Sequence, residues 1–249
     1  MDRSLIQSQL QTYKKKRDLN LFFLFGAALF TLILYIILNL LKVNFNLIVS
    51  ITLGLLVILT ILMVYLRPKI LTYSMYYKYY LMLMDALEPR SVQLKPFTQS
   101  FIDKLKNEEG LDSITNTPSF VIYYKLVDRI KEVRSKGKTL IAVVLAKHKH
   151  ANFYVPELEK AFENIQSREK KYIKKQIIIQ MNKYDTYNET TKENLDKIIN
   201  LVDGSNVVVH INCGMMLDTK QVYFLRPQKR FPNKYYYFGT LLIERLLEI

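Results

Sequence analysis

The chain has 249 residues, a formal net charge of +14, a single cysteine and no tryptophan. One cysteine, Cys213, excludes an internal disulfide and fits a reducing compartment. Glycine and proline are scarce, with 7 of each, and neither an internal repeat nor a low-complexity stretch is present, so flexible linkers are few.

Residues 1–18 form a basic segment that includes Lys14, Lys15, Lys16 and Arg17. Two uncharged apolar runs follow, Leu19 to Leu41 and Leu47 to Leu66. Each is long enough to cross a bilayer, because about 20 helical residues at about 1.5 Å each span the roughly 30 Å hydrocarbon core. The first run is longer than the apolar core of a signal peptide, and no small-x-small cleavage pattern follows it before Lys42. Lysine and arginine accumulate on the cytoplasmic side of short flanks. Lys14–Arg17 before the first run, Arg67 and Lys69 after the second, and only Lys42 between them place both termini in the cytoplasm. The expected location is the cell membrane, with two spans. Neither span carries an ionisable side chain, which argues against a transporter or pump.

Residues 67–90 are expected to bend or restart at Pro68 and to lie in the interface, with Tyr73, Tyr76, Tyr77, Tyr79 and Tyr80 at headgroup depth. A third span here is disfavoured because it would put Lys78 near mid-membrane.

Residues 91–249 are enough to bury a core. Thr98 caps a helix over Phe101, Ile102 and Leu105 that stops at Gly110. Thr117 and Pro118 open a second helix, carried by Phe120, Tyr123, Val127 and Ile130 and ended by Gly137, with a strand over Phe120 to Val127 as the alternative. Thr139 to Ala146 reads as a strand buried on both faces. Pro156 opens a helix with Leu158, Phe162 and Ile165 on one face, and Gln176 to Met181 is a second buried strand. Asn188 caps a helix carrying Leu195, Ile198, Ile199 and Val202 up to Gly204. Asn206 to Cys213 is a third strand, Gln221 to Leu225 an antiparallel fourth, and Lys234 to Ile249 a final helix. The expected fold is α/β: a two-helix transmembrane hairpin followed by a cytosolic, open, mostly parallel sandwich of about four strands with an antiparallel edge strand.

In open parallel sheets ligands bind beyond the carboxyl ends of the strands. Those ends carry Lys147, His148, Lys149 and His150, then Asn182 and Lys183, then His210 and Asn212. Convergence of these eight would make a basic, imidazole-bearing cleft suited to an anionic ligand. A second stretch, Arg226, Lys229, Arg230 and Lys234 with Phe231 and Tyr235 to Tyr237 between them, resembles a surface for anionic lipid, with nucleic acid or a nucleotide as the less favoured partner. Arg67 and Lys69 add to that lipid surface. Arg168 to Lys175 reads as a basic helix end.

Glycine-rich phosphate loops, a Gly-x-Ser-x-Gly elbow and a zinc-ligand spacing are all missing from the sequence, and neither catalytic residue, metal nor cofactor is assigned. A non-catalytic role therefore leads: a membrane-anchored scaffold, sensor or subunit of a membrane complex, working with a protein partner or as a homo-oligomer. The rivals are a membrane-tethered enzyme acting on phosphate-containing substrates at the strand-end cleft, and a ligand-sensing effector that oligomerises its hairpins.

Overall fold

The computed structural model describes residues 2–168 and 173–249. It divides into two compact units, Asp2–Leu81 and Met82–Ile249. Residues 169–172 of the segment 168–175 lie outside the described residues.

The first unit is a helical hairpin. Helix α1 spans Arg3–Leu40, with the Asp2 carboxylate capping its first turn, and α2 spans Phe45–Met84. Both are long and apolar enough to cross a membrane. Helix α2 runs unbroken through Pro68, and its 40 residues reach about 60 Å, twice a hydrocarbon core. Beyond the apolar runs the helices are joined by aromatic contacts. Tyr13 stacks on Tyr76 and Tyr80 at 4.8 and 5.6 Å, and the Arg17 guanidinium lies 4.6 Å from the centre of the Tyr77 ring.

The second unit is a mixed α/β sheet of eight strands: β1 (Arg90–Ser91), β2 (Ser113–Asn116), β3 (Phe120–Ile130), β4 (Ser135–Lys149), β5 (Lys175–Tyr184), β6 (Ile199–Asp203), β7 (Asn206–Met216) and β8 (Gln221–Phe224). The order is β1-β8-β7-β5-β4-β3-β2, with β6 added beside the first half of β7. Among the described residues only β4–β5 and β5–β7 are parallel. The expectation of about four mostly parallel strands is thus corrected to eight strands, most of them paired antiparallel.

Two misread segments account for much of that difference. Residues 120–130 form a strand, the alternative over Phe120 to Val127 rather than the favoured helix. Their helical spacing coincides with a run of branched and aromatic residues that buries Phe120 and Ile122 on one face and Tyr123 on the other. Thr117 and Pro118 sit in the β2–β3 hairpin, where Thr117 Oγ1 accepts from the Phe120 N–H at 3.0 Å. Gly137 lies within β4 at φ +94° rather than at a helix end. Residues 199–203 also form a strand. The helix capped by Asn188 is α5 (Glu189–Asp196), and it stops where Lys197 turns extended. Asp203 then faces Asn206 across a two-residue turn in which Gly204 has φ +55°. A glycine that ends a helix and one that turns a hairpin look alike in sequence.

The other expected elements are present. Thr98 caps α3 (Gln99–Asp103), which continues as a π-helical turn over Lys104–Glu108, and α4 (Pro156–Ser167) and α6 (Lys234–Leu247) occupy their expected places. Strand β4 is buried continuously from Leu140 to Ala146. Helix α4 packs Leu158, Ala161, Phe162 and Ile165 against Phe120, Leu140, Ala142, Val144 and Ile178. Helix α5 covers the same face further along, where a Cβ added at Gly214 would meet Leu195 and Tyr184. Helix α6 covers the opposite face, with Gly239 against Ile211 and Ile177. Both crossovers between the parallel strands move the same way, from β4 to β5 to β7. The strand order therefore does not reverse between them, and no crevice of the doubly wound kind opens there.

Candidate functional site

The three parallel strands end side by side, with Lys149 paired to Lys183 and Asn182 to Gly214. The β4–α4 loop, residues 150–155, passes over these ends. Buried amides hold it there. Asn182 Nδ2 donates to the Ala151 carbonyl at 2.5 Å, and Gln180 Nε2 donates to the Asn152 carbonyl at 3.0 Å. On the next strand Asn212 Nδ2 donates to the carbonyls of Asn194, at 3.1 Å, and Lys197, tying down the end of α5. Gln180, Asn182 and Asn212 are all fully buried. A buried amide must spend its donors on something, and here it spends them on loop backbone.

Between that loop and α5 lies a cavity of about 600 Å³ lined by His150, Asn152, Tyr154, Tyr184, Thr191 and Asn194 among others. Its walls are amides, hydroxyls, rings and Lys197, whose Nζ donates to Asn194 Oδ1 at 3.0 Å. The cations expected here are dispersed. Lys149 Nζ and His150 Nε2 both meet the Asp185 carboxylate, at 2.5 and 3.1 Å. Those two contacts hold Asp185 below the usual aspartate range. Lys147 Nζ donates to the Thr117 carbonyl, away from the cavity. Lys183 Nζ lies 4.4 Å from the centre of the Phe97 ring, and His148 is exposed.

His210 sits mid-strand, opposite Ile178, rather than at a strand end. It is 5% exposed, and burial pushes its imidazole down to about 3, so the ring is neutral at pH 7. The Tyr154 ring packs edge-on against it at 4.7 Å, held by a hydrogen bond from Tyr154 Oη to the Lys197 carbonyl at 2.5 Å. His210 lines a different groove, of about 380 Å³, between α4 and the β6–β7 hairpin, and Tyr154 forms a wall of both spaces. Cys213 lies on the α6 face of the same strand, and burial raises its thiol far above the usual range.

The basic stretch near the C-terminus divides in the same way. Arg226 Nε pairs with Glu244 at 2.5 Å, while Lys229, Arg230 and Lys234 are exposed. Tyr235 and Tyr236 are core residues, with Tyr236 Oη donating to the Leu225 carbonyl at 2.6 Å. That leaves Phe231 and Tyr237, in edge contact at 4.9 Å, as the rings beside those cations. In the helical hairpin, Arg67 is exposed and Lys69 Nζ lies 3.8 Å from the centre of the Tyr65 ring.

Gln180 is the residue that sequence reasoning missed. The signal was present: Gln180 and Asn182 alternate with Ile179 and Met181 inside a buried run, as His210 and Asn212 alternate with Ile211 and Cys213. Two polar stripes on adjacent buried strands mark one polar face. Replacing Asn182 by Leu is expected to lower stability by about 1 kcal/mol. It should also raise amide hydrogen exchange across 150–155 more than elsewhere, and uniform exchange would show that the amide does not hold the loop.

Among the described residues no three His, Cys, Asp or Glu side chains gather as a metal site requires. Comparison of the chain with known protein families, characterised proteins and solved structures finds no match.

Proposed function

We propose that the chain is a membrane-anchored binding module. Residues 19–41 and 47–66 cross the cell membrane as a hairpin with both termini in the cytoplasm. Residues 67–90 carry the chain from the interface to a cytosolic α/β domain, 91–249, that serves as a sensor or scaffold subunit of a membrane complex. The hairpin's surface supports the anchor: Phe22, Phe25 and Val64 are each at least 70% exposed, an apolar display that lipid covers and water does not. Tyrosines and cations clustered just past the apolar runs suit the headgroup zone.

One observation carries the binding role. The cavity at the strand ends is preformed, its overlying loop fixed by buried Gln180 and Asn182 and its lining rich in hydrogen-bonding and aromatic groups, with Lys197 engaged by Asn194 and His150 by Asp185. Such walls orient a ligand by hydrogen bonds and shape. The neighbouring Lys149 and His150 are already engaged by Asp185, which favours recognition over the anionic-substrate chemistry that a free basic cluster would support.

The full chain tests this, in intact cells for topology and in lipid nanodiscs for binding. Buried Cys213 leaves a silent background for thiol labelling, so Lys42→Cys is expected to react with a membrane-impermeant maleimide from outside intact cells. Hydrogen exchange against a panel of anionic lipids, nucleotides, amines and peptides is expected to show saturable protection at 150–155 and 188–197 with one class. Protection with none, or turnover of a phosphoester, would overturn the reading.

A further inference from the structure

The groove that holds His210 differs from the rest of this basic chain. On a protein of net charge +14, the ionisable groups besides Tyr154 among the described lining residues are Glu159, Glu163 and His210, with no lysine or arginine among them. The rest of the lining is largely apolar, from Leu158 and Phe162 on α4 to Ile178, Ile199 and Val208 on the sheet. At the floor, His210 Nε2 is buried without a hydrogen-bonding partner. Buried ring nitrogens are normally satisfied, so one left over in the floor of a groove marks a place where a donor is wanted. With the imidazole proton on Nδ1, Nε2 is an acceptor. The Tyr154 ring covers it from a loop position with φ +56°, a backbone region costly for a residue with a Cβ.

We infer that this groove binds a compact organic cation, its apolar body against Phe162 and Ile178, its ammonium or guanidinium beside Glu159 and Glu163, and one N–H donated to His210 Nε2. The inference rests on the α/β domain being a binding module and names the ligand chemistry for a groove distinct from the strand-end cavity. A volume of about 380 Å³ takes a small ligand or one side chain rather than a folded segment. Carboxylates at the rim steer a cation in, the Tyr154 and Phe162 rings offer cation–π contact, and an anion is repelled. Entry turns the Tyr154 ring aside and exposes the imidazole nitrogen.

The test uses the full chain in nanodiscs and calorimetric titration with phenethylamine, phenethylguanidine, neutral phenethyl alcohol and anionic hydrocinnamate. The two cations are expected to bind at least tenfold more tightly than the alcohol, and the anion not at all. The double variant E159Q/E163Q should weaken the cations about tenfold and leave the alcohol unchanged. His210→Leu should weaken the cations further while circular dichroism stays native. A blocked dipeptide carrying phenylalanine and arginine separates the sources. Tighter binding of the dipeptide keeps the cation site and assigns it to a partner's basic side chain, whereas tighter binding of the free amine assigns it to a small molecule. Equal binding of amine and alcohol, unchanged affinity in E159Q/E163Q, or no cation binding would overturn the inference. If another ligand class still protects 150–155 from exchange in that case, the binding-module reading stands alone; if none does, both fall.

Discussion

Lowering the pH from 8 to 5 is expected to cost the α/β unit about 2 kcal/mol of stability through His210 alone. In the unfolded chain an imidazole takes up its proton near pH 6.5, whereas folded His210 stays neutral down to about 3 because burial strips its water. Between those two values the unfolded state binds more protons than the folded one, so stability falls as pH falls. The slope approaches about 1.4 kcal/mol per pH unit below 6.5. Denaturant titration of the full chain in detergent, followed by tyrosine circular dichroism since tryptophan is absent, measures this at each pH. In His210→Leu the drop should shrink by about 2 kcal/mol. His148 and His150, both exposed and present in both proteins, cancel in the comparison. Equal pH profiles would show that the imidazole is not buried neutral, and the groove would lose its floor.

Gly214→Val is expected to destabilise the unit by about 3 kcal/mol, at the upper end for overpacking. A bare Cβ at that position would stand 2.5 Å from Leu195 Cδ1, 3.0 Å from its Cδ2 and 3.1 Å from Tyr184 Cδ2. Leu195, on α5, is fully buried and Tyr184 is 5% exposed, so the added side chain presses directly on the packed face of α5. The strain must then lift α5, which carries Thr191 and Asn194 into the strand-end cavity and offers Asn194's carbonyl to Asn212. Raised hydrogen exchange in 188–197 at native conditions should accompany the loss of stability. Wild-type stability would mean that α5 is not seated on this strand. By contrast, Asp185→Ala breaks only exposed ion pairs and should change stability by less than about 1 kcal/mol.

Where the sequence was legible, local chemistry and burial agreed. The caps at Thr98 and Asn188, Pro156 at the start of α4 and the continuous apolar runs of β4, β5 and β7 are all read from a few adjacent residues, and all are found in place. The hairpin's two apolar helices are legible for the same reason, since span length and absence of charge are properties of a single segment. Segment 120–130 stood in the sequence as helix or strand, and 199–203 read as helix, because their apolar residues satisfy both periods and only partners far along the chain choose between them. Strand β3 exists because β4 lies ready to pair with it, and β6 because Gly204 folds it back onto β7.

The site shows the same division. Its residue types stood in the sequence as polar positions on buried strands, but their partners did not. That Lys149 and His150 meet Asp185, that Gln180 and Asn182 hold a loop, and that His210 leaves the cluster for a groove walled by Glu159 and Glu163 follow from register and from where α4 crosses the sheet. By itself the sequence determined the two apolar spans, the capped helices and the buried parallel strands, since each depends on the free energy of one segment. Only the tertiary structure decided the sheet order, the antiparallel edges and the separation of one expected basic cleft into two differently lined spaces. Those depend on pairings between residues tens of positions apart, whose energies no local pattern encodes.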